Sequence, residues 1–334
     1  MLIAAAIALA PPTWTLVVGG DLMLNAITPK SKPMAGVAQL FRTADVAYAN
    51  LEIPLTDAKT VTPRKSAADL KAKRQFVLKA DPGHVSTLTS MGLDLVSLAN
   101  NHAMDYGAKG LNQMLGLLDK AGIAHSGAGA NVVAANEVAV FRNRYGIRVG
   151  MLSYLCFVGA GALNTCGPAS AKTPGIATLN YGGALDEKNL KDLTNRILAA
   201  RKRCDVLIVA PHWGDERARL PKDWQLRLGR AMIAAGADAV VGAHPHVLQG
   251  SEIVGGQPIH YSLGNLISPR PANTGVYRLT FSGKKYVKTE RLTYTIAGGV
   301  IKRRKGKDAA SAAKDLAELD KILARRTAQL FPRR

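Results

Sequence analysis

Six positions carry side chains suited to chemistry: Asp21, Glu52, Asn101, His212, His244 and His246, each at the end of a short apolar run or just beyond it. A hydrolytic metal centre needs carboxylates and imidazoles in one pocket, with a coordination position open to water. Asp21 and Glu52 offer anionic oxygens, and a carboxylate can bridge two cations. Asn101 offers a neutral amide oxygen, and the three histidines offer ring nitrogens. This donor set suits one or two divalent ions of zinc, manganese or iron, and does not suit an all-oxygen calcium site. His102 follows Asn101 directly; if the backbone there is extended, the two side chains diverge, one toward metal and the other toward substrate.

Such residues act together only if the chain gathers them. Thr15–Val18, Val46–Ala49, Leu93–Leu98, Val206–Val209 and Ala239–Val241 read as buried strands, separated by helical patterns at Gly110–Ala121, Leu185–Lys202 and Trp224–Ala235. Strands alternating with helices predict an α/β fold, whose site lies beyond the carboxyl ends of the strands. Asp and Asn at single strand ends are explained equally well by helix capping or turns, but capping does not call for histidine. Val138–Tyr154 reads as a hairpin around Arg144-Tyr145-Gly146. After Asn265 the pattern becomes a β-meander, with separate strands at Val276–Phe281, Tyr286–Arg291, Leu292–Ile296 and Val300–Ile301. A last helix, Asp308–Arg326, presents Leu316, Leu319 and Leu323 on one face for packing. The chain divides into an apolar N-terminus (1–12), a main domain (13–270) and a basic C-terminal segment (271–334) packed on it.

Composition narrows the partners. The 334 residues are 47% hydrophobic, enough for a sizeable core, and no apolar run reaches the ~18 residues of a membrane-spanning helix. Lys and Arg number 44 against 24 Asp and Glu, a net charge of +20. Half of that excess lies between Gly283 and Arg334, most densely at Lys302–Lys307, either as a solvated tail or as a docking surface for an anionic polymer or a membrane surface. Aromatics make up only 5%, so the stacking platforms of a nucleic-acid binder are lacking. Met1–Ala10 is apolar and ends in Ala8-x-Ala10, like the tail of a secretory signal, although it has no basic start and Pro11 follows. An extracytoplasmic place is expected on that basis, and a cytoplasmic one if the segment is retained. In an oxidising compartment Cys156 and Cys166 could pair across a Gly/Ala-rich loop at 159–162.

Gly20-Asp21-Leu22-Met23-Leu24, Ala49-Asn50-Leu51-Glu52, Leu98–Gly107, His212-Trp213-Gly214-Asp215-Glu216, Gly242–Gln249 and Tyr261-Ser262-Leu263-Gly264-Asn265 resemble, in order, the motifs of the CapA family of capsule-synthesis proteins. That family is associated with poly-gamma-glutamate biosynthesis and is similar in fold to calcineurin-like metallophosphatases. The resemblance implies a four-layer α-β-β-α sandwich. It implies a first metal held by Asp21, Glu52 and His246, a second held by Glu52, Asn101, His212 and His244, and His102 as general acid or stabiliser of a leaving oxygen. Two departures from the phosphatase pattern stand out. Met23 occupies the place of the first site's histidine, and Glu52 that of an aspartate. Asn50, Asn100 and Asp105 are candidates for orienting these groups, or simply for shaping turns. Glu216 and Asn265 are candidates for lining a substrate pocket, or for capping loops. Trp213 reads as core, with a substrate floor as its alternative; His84, His125 and His260 read as structural or surface residues. Two functions are expected to compete: a metal-dependent hydrolase acting on a phosphoester or an amide of an anionic polymer, and a non-enzymatic, metal-stabilised subunit that guides acidic polymer in a capsule-synthesis complex.

Overall fold

The computed structural model describes residues 10–157, 164–180 and 187–332. Most of the apolar N-terminus and the Gly/Ala-rich loop at 159–162 lie outside the described residues.

In β1 (Thr13–Leu22) and β2 (Val46–Leu51), alternate residues face opposite ways, as the two-residue period of a strand requires. Trp14, Leu16, Val18, Val46 and Tyr48 enter one buried cluster; Val17, Ala47, Ala49 and Leu51 enter another. A strand buried on both faces is the mark of a sheet covered on both sides. β1 and β2 continue in parallel into β3 (Leu95–Ser97) and β4 (Ala124–Ser126). On the other side β1 is antiparallel to β15 (Ala272–Ser282), followed by β16 (Lys285–Ala297) and β17 (Val300–Arg303). The short β14 (Asn265–Ile267) also pairs in parallel with β1. The expected strands 286–291 and 292–296 are one: β16 pairs with β15 from Lys285 to Ile296, with one bulge near Val287, and no turn interrupts it.

A second sheet runs β12 (Ser251–Val254), β13 (Gln257–His260), β11 (Ala239–Val241), β10 (Val206–Trp213), β7 (Arg148–Phe157) and β6 (Ala139–Arg142), with β9 (Thr178–Asn180) also on β7. A two-stranded piece joins β5 (Ala128–Gly129) to β8 (Gly175–Ile176). The sheets face each other across a core of Leu16, Val18, Tyr48, Met151, Ile208 and Val241. Gly107–Lys120 covers the outer face of the first sheet through Leu111, Met114 and Leu118. Glu187–Arg201, Asp223–Ala234 and Gly306–Leu330 cover the second through Leu193, Ile197, Leu226, Met232 and Leu323. The result is the four-layer α-β-β-α sandwich.

Cys156 and Cys166 form no disulfide. Cys156 packs into the outer core of the second sheet and Cys166 into that of the first, and burial holds both thiols above their ordinary pKa. No helix among the described residues is long and apolar enough to cross a membrane.

Candidate metal centre

β1, β2 and β3 run parallel in one sheet, β10 and β11 in the other, and the polar residues at their carboxyl ends meet. Asp21 sits near the end of β1, Glu52 directly after β2, His212 near the end of β10, and His244 and His246 in the loop after β11. Asn101 follows β3 in a turn rather than on extended backbone: Asn100 Oδ1 accepts the amides of His102 and Ala103, and its Nδ2 donates to Leu51 O at 2.8 Å. Asn101 and His102 are therefore set by a side-chain-capped turn.

Backbone packing fixes the rest. At Gly20 a Cβ would lie 1.8 Å from Gly264 O, so only glycine allows β1 this close to the loop ahead of β14. The same approach lets the Asp21 amide donate to Gly264 O at 3.0 Å and puts Asp21 in register with Asn265. His244 and His246 hold positive φ of 97° and 58°, a conformation that costs a non-glycine residue about 1–3 kcal/mol. That strain aims both rings inward.

The ligand-type atoms gather around two ring nitrogens. His212 Nε2 lies 2.8 Å from Asn101 Oδ1, 3.0 Å from His244 Nδ1 and 3.3 Å from Glu52 Oε1. His246 Nδ1 lies 3.1 Å from Asp21 Oδ2 and 3.7 Å from Glu52 Oε2. Two ligands of one ion, each about 2.1 Å from it, stand roughly 3.0–3.4 Å apart. Glu52, His212 and His244 form one compact triad, and Asp21, Glu52 and His246 another. Glu52 belongs to both, one oxygen toward each.

Glu52 also tests whether a cation fits. It is fully buried, and neither carboxylate oxygen receives a hydrogen bond. Its oxygens face only the ring nitrogens of His212 and His246, without hydrogen bonds, and a buried carboxylate so placed costs several kcal/mol that a cation between those rings would offset. Burial, reinforced by the neighbouring His212 and His246, holds His244 well below its ordinary pKa, so its ring is a neutral donor. Burial also disfavours charge on His246, but Glu52 and Asp21 outweigh it and push the pKa up to about 10. Burial works against the Asp21 carboxylate, yet His246 and His212 hold it below the usual range.

The flanking residues divide by what they touch. Asn50 Nδ2 donates to Asp21 Oδ1 at 2.8 Å, and Ser97 Oγ donates to Asn50 Oδ1 at 2.8 Å. Asp105 Oδ2 takes His102 Nδ1 at 2.7 Å and the Leu78 amide at 2.7 Å. Lys65, which sequence reasoning missed, is buried against Asp105; its Nζ also donates to the carbonyls of Phe76 at 2.8 Å and Asn101 at 3.1 Å. Trp213 is core: fully buried, stacked on Tyr261 at 5.7 Å and donating to the Tyr261 carbonyl. His84 is buried against the Ile27 carbonyl and Thr87, and His125 meets Asp119 at the surface.

A cavity of about 640 Å³ opens beside this centre, with His102, His246, Glu216 and Asn265 on one side. Met23, Phe76, Leu78 and Val247 make its apolar wall, and Arg217, Arg219 and Arg270 stand exposed at its margin. Arg219 pairs with Asp315, while Arg217 and Arg270 make no ion pair among the described residues. A smaller cavity of about 260 Å³ reaches His102, Glu216 and His244 from the side of Lys65.

Parallel strand ends meeting across two stacked sheets, with a buried carboxylate between two imidazole groups, define an α-β-β-α sandwich with a candidate metal centre at its strand ends. Solved structures agree on the fold. A novel phosphatase from Mycoplasma pneumoniae superposes with a TM-score of 0.53 at 14% identity, covering 85% of this chain and 94% of that one. A hypothetical protein from Thermus thermophilus gives 0.50 at 14% identity, covering 85% of this chain and all of the other. In sequence, residues 15–270 match the family described as bacterial capsule synthesis protein PGA_cap, and the chain belongs to that family. It is 31% identical over 255 residues to the PGA biosynthesis protein CapA of Bacillus subtilis, covering 74% of this chain and 61% of the relative. The capsule biosynthesis protein CapA of Bacillus anthracis is 30% identical, with coverages of 76% and 59%. A probable polyglutamine synthesis accessory protein of Mycobacterium tuberculosis is also 30% identical, with coverages of 69% and 58%. The match spans about three fifths of the length of these relatives.

Proposed function

We propose that this capsule-synthesis-family protein is a metal-dependent hydrolase that cuts a phosphoester, or an amide, of an anionic polymer. The observation that carries the proposal is Glu52, a buried carboxylate without a hydrogen bond, set between two donor groups that each suit a divalent ion. Asp21, Glu52 and His246 would hold one ion; Glu52, Asn101, His212 and His244 would hold the other. When bound, such ions supply Lewis acidity and lower the pKa of water. Asn50 orients Asp21. Asp105 Oδ2 accepts a hydrogen bond from His102 Nδ1 and so fixes the ring, which lines both cavities. His102 would act as general acid, giving its Nε2 proton to the leaving atom, the oxygen of an ester or the nitrogen of an amide. Lys65 balances the charge of Asp105 beneath it. Arg217 and Arg270 receive the flanking anionic groups of the substrate.

The basic edge favours a second reading. Lys302 and Arg303 lie exposed on β17, at the edge of the first sheet, where a polyanion could be bound and guided without chemistry. Elemental analysis of the purified protein, combined with a phosphodiester screen under added manganese, tests the hydrolase. His102→Ala should retain its metal and lose about 10²–10⁴-fold in turnover. Function that survives His102→Ala but fails on charge reversal at Lys302–Lys307 would replace the hydrolase with the guide.

A further inference from the structure

Met23 leaves the Asp21 side of the centre one ligand short of its partner. On the Glu52–His212–His244 side, the amide oxygen of Asn101 makes a fourth donor. On the Asp21 side, the place of the corresponding histidine holds a thioether, a poor ligand for a hard divalent ion. Yet His246 Nδ1 has a third oxygen neighbour besides Asp21 and Glu52: Asn265 Oδ1, at 2.8 Å. A ring nitrogen carries at most one proton. The Nδ1 proton can be shared between Asn265 and Asp21 but does not reach Glu52 Oε2 at 3.7 Å, whereas one cation set among these atoms would meet all four donors.

Asn265 is not there by accident of a mobile loop. It opens β14, is paired in register with Asp21, and is almost completely buried. The Met23 amide donates to Ile267 O at 3.0 Å, so β14 runs directly alongside the position where the histidine is missing. The close approach that glycine permits at position 20 brings this strand within reach.

Resting on the binuclear reading above, we infer that Asn265 is the fourth ligand of the Asp21–Glu52–His246 site and takes over the part of the absent histidine. The two sites are then near mirror images across Glu52: each has a carboxylate oxygen of Glu52, one asparagine oxygen and at least one imidazole. They differ only in that an aspartate on one side faces a second imidazole on the other. Mn²⁺ and Zn²⁺ both accept amide oxygen beside carboxylate and imidazole.

The test is metal stoichiometry and affinity, read by elemental analysis and by titration of the metal-free full chain with Mn²⁺ alone. Wild type should bind two ions. Asn265→Ala should keep one ion and bind the other at least tenfold more weakly, with an unchanged circular dichroism spectrum. Asn265→Asp should restore the weakened ion, because it returns an oxygen at the same place. Met23→His in the Asn265→Ala background should also restore it, since the ring then enters from the neighbouring strand. A role limited to holding the His246 ring would not be rescued by a histidine at 23. Two ions bound with unchanged affinity in Asn265→Ala would overturn the assignment, as would failure of both rescues. Wild type binding no ion would instead defeat the metal centre itself.

Discussion

Two groups of buried polar residues lie between the sheets, and they are built on opposite principles. At the β13 corner, His260 is fully enclosed, with Nδ1 at 2.8 Å from Ser251 Oγ and Nε2 at 3.2 Å from Thr289 Oγ1, and its ring edge-on to Tyr277. Every polar atom of that ring has a partner, and the pairing to Thr289 ties the second sheet to the first. At the strand ends, Glu52 is as deeply buried, yet both its oxygens lack a donor, and strained histidines crowd around it. Burial of a histidine or an acid therefore says little about function. What separates these two ionisable groups is whether the hydrogen bonds of the imidazole or the carboxylate close without a guest.

The largest expected effect comes from removing the buried charge of Glu52. Glu52→Gln keeps the shape but deletes the anion that both donor groups share. Mn²⁺ binding should fall by more than about 100-fold at both sites, since losing even a hydrogen-bond partner of a ligand costs about 10–100-fold. The metal-free variant should meanwhile be more stable than metal-free wild type, by about 1–3 kcal/mol in urea unfolding, because a buried charge is replaced by a neutral amide. A variant less stable than wild type without metal would show that Glu52 is a structural residue like His260.

How much of this contrast can be read from the sequence follows from the range of the forces involved. Asp21, Glu52, His212, His244 and His246 are legible because each follows an apolar run, and the parallel pairing of such runs carries their ends to one edge. Lys65 is not. It lies in a segment with Lys59, Arg64, Lys71, Lys73 and Arg74 that reads as solvated surface, and only the approach of Asp105 from a distant turn buries it. The closeness of Asn265 to Asp21 likewise depends on the three-residue β14, too short to announce itself by periodicity. The pattern divides β16 because a half-buried strand of thirteen residues with exposed lysines resembles two shorter ones.

At the His260 ring, whose hydrogen bonds do close, the expected signature is a dependence on pH. Burial, followed by the neighbouring Arg291, lowers the His260 pKa from 6.5 to about 3. The folded protein therefore keeps this ring neutral while the unfolded chain takes up a proton below about pH 6.5. Stability attributable to His260 is complete above that value and falls as pH drops from about 6.5 toward 3, by roughly 2–3 kcal/mol at about pH 4.5. His260→Gln can keep contacts to Ser251 and Thr289 but has no proton to gain. Urea unfolding between about pH 7 and pH 4.5 should show a shallower loss of stability in the variant; equal slopes would mean that the ring is already protonated in the fold.

The smallest effect should appear where the strand-end region opens to solvent. Arg217 and Arg270 stand exposed beside the larger cavity, so removing them disturbs neither the metal donors nor the core. An exposed guanidinium contributes to an anionic ligand mainly through screened attraction and one or two hydrogen bonds, roughly 0.5–1.5 kcal/mol. Arg217→Ala and Arg270→Ala should each raise KM for a polyanionic substrate about three- to tenfold, with little change in kcat, manganese content or unfolding midpoint. The increase should shrink as salt rises, because the attraction is screened over about 10 Å at 0.1 M ionic strength. A short phosphodiester probe with no charge beyond the reacting group should show no such penalty, which separates recognition of a charged chain from chemistry at the centre. If both substrates lose equally, the arginines act on the reacting group itself, and the boundary between the built centre and its open margin has been drawn in the wrong place.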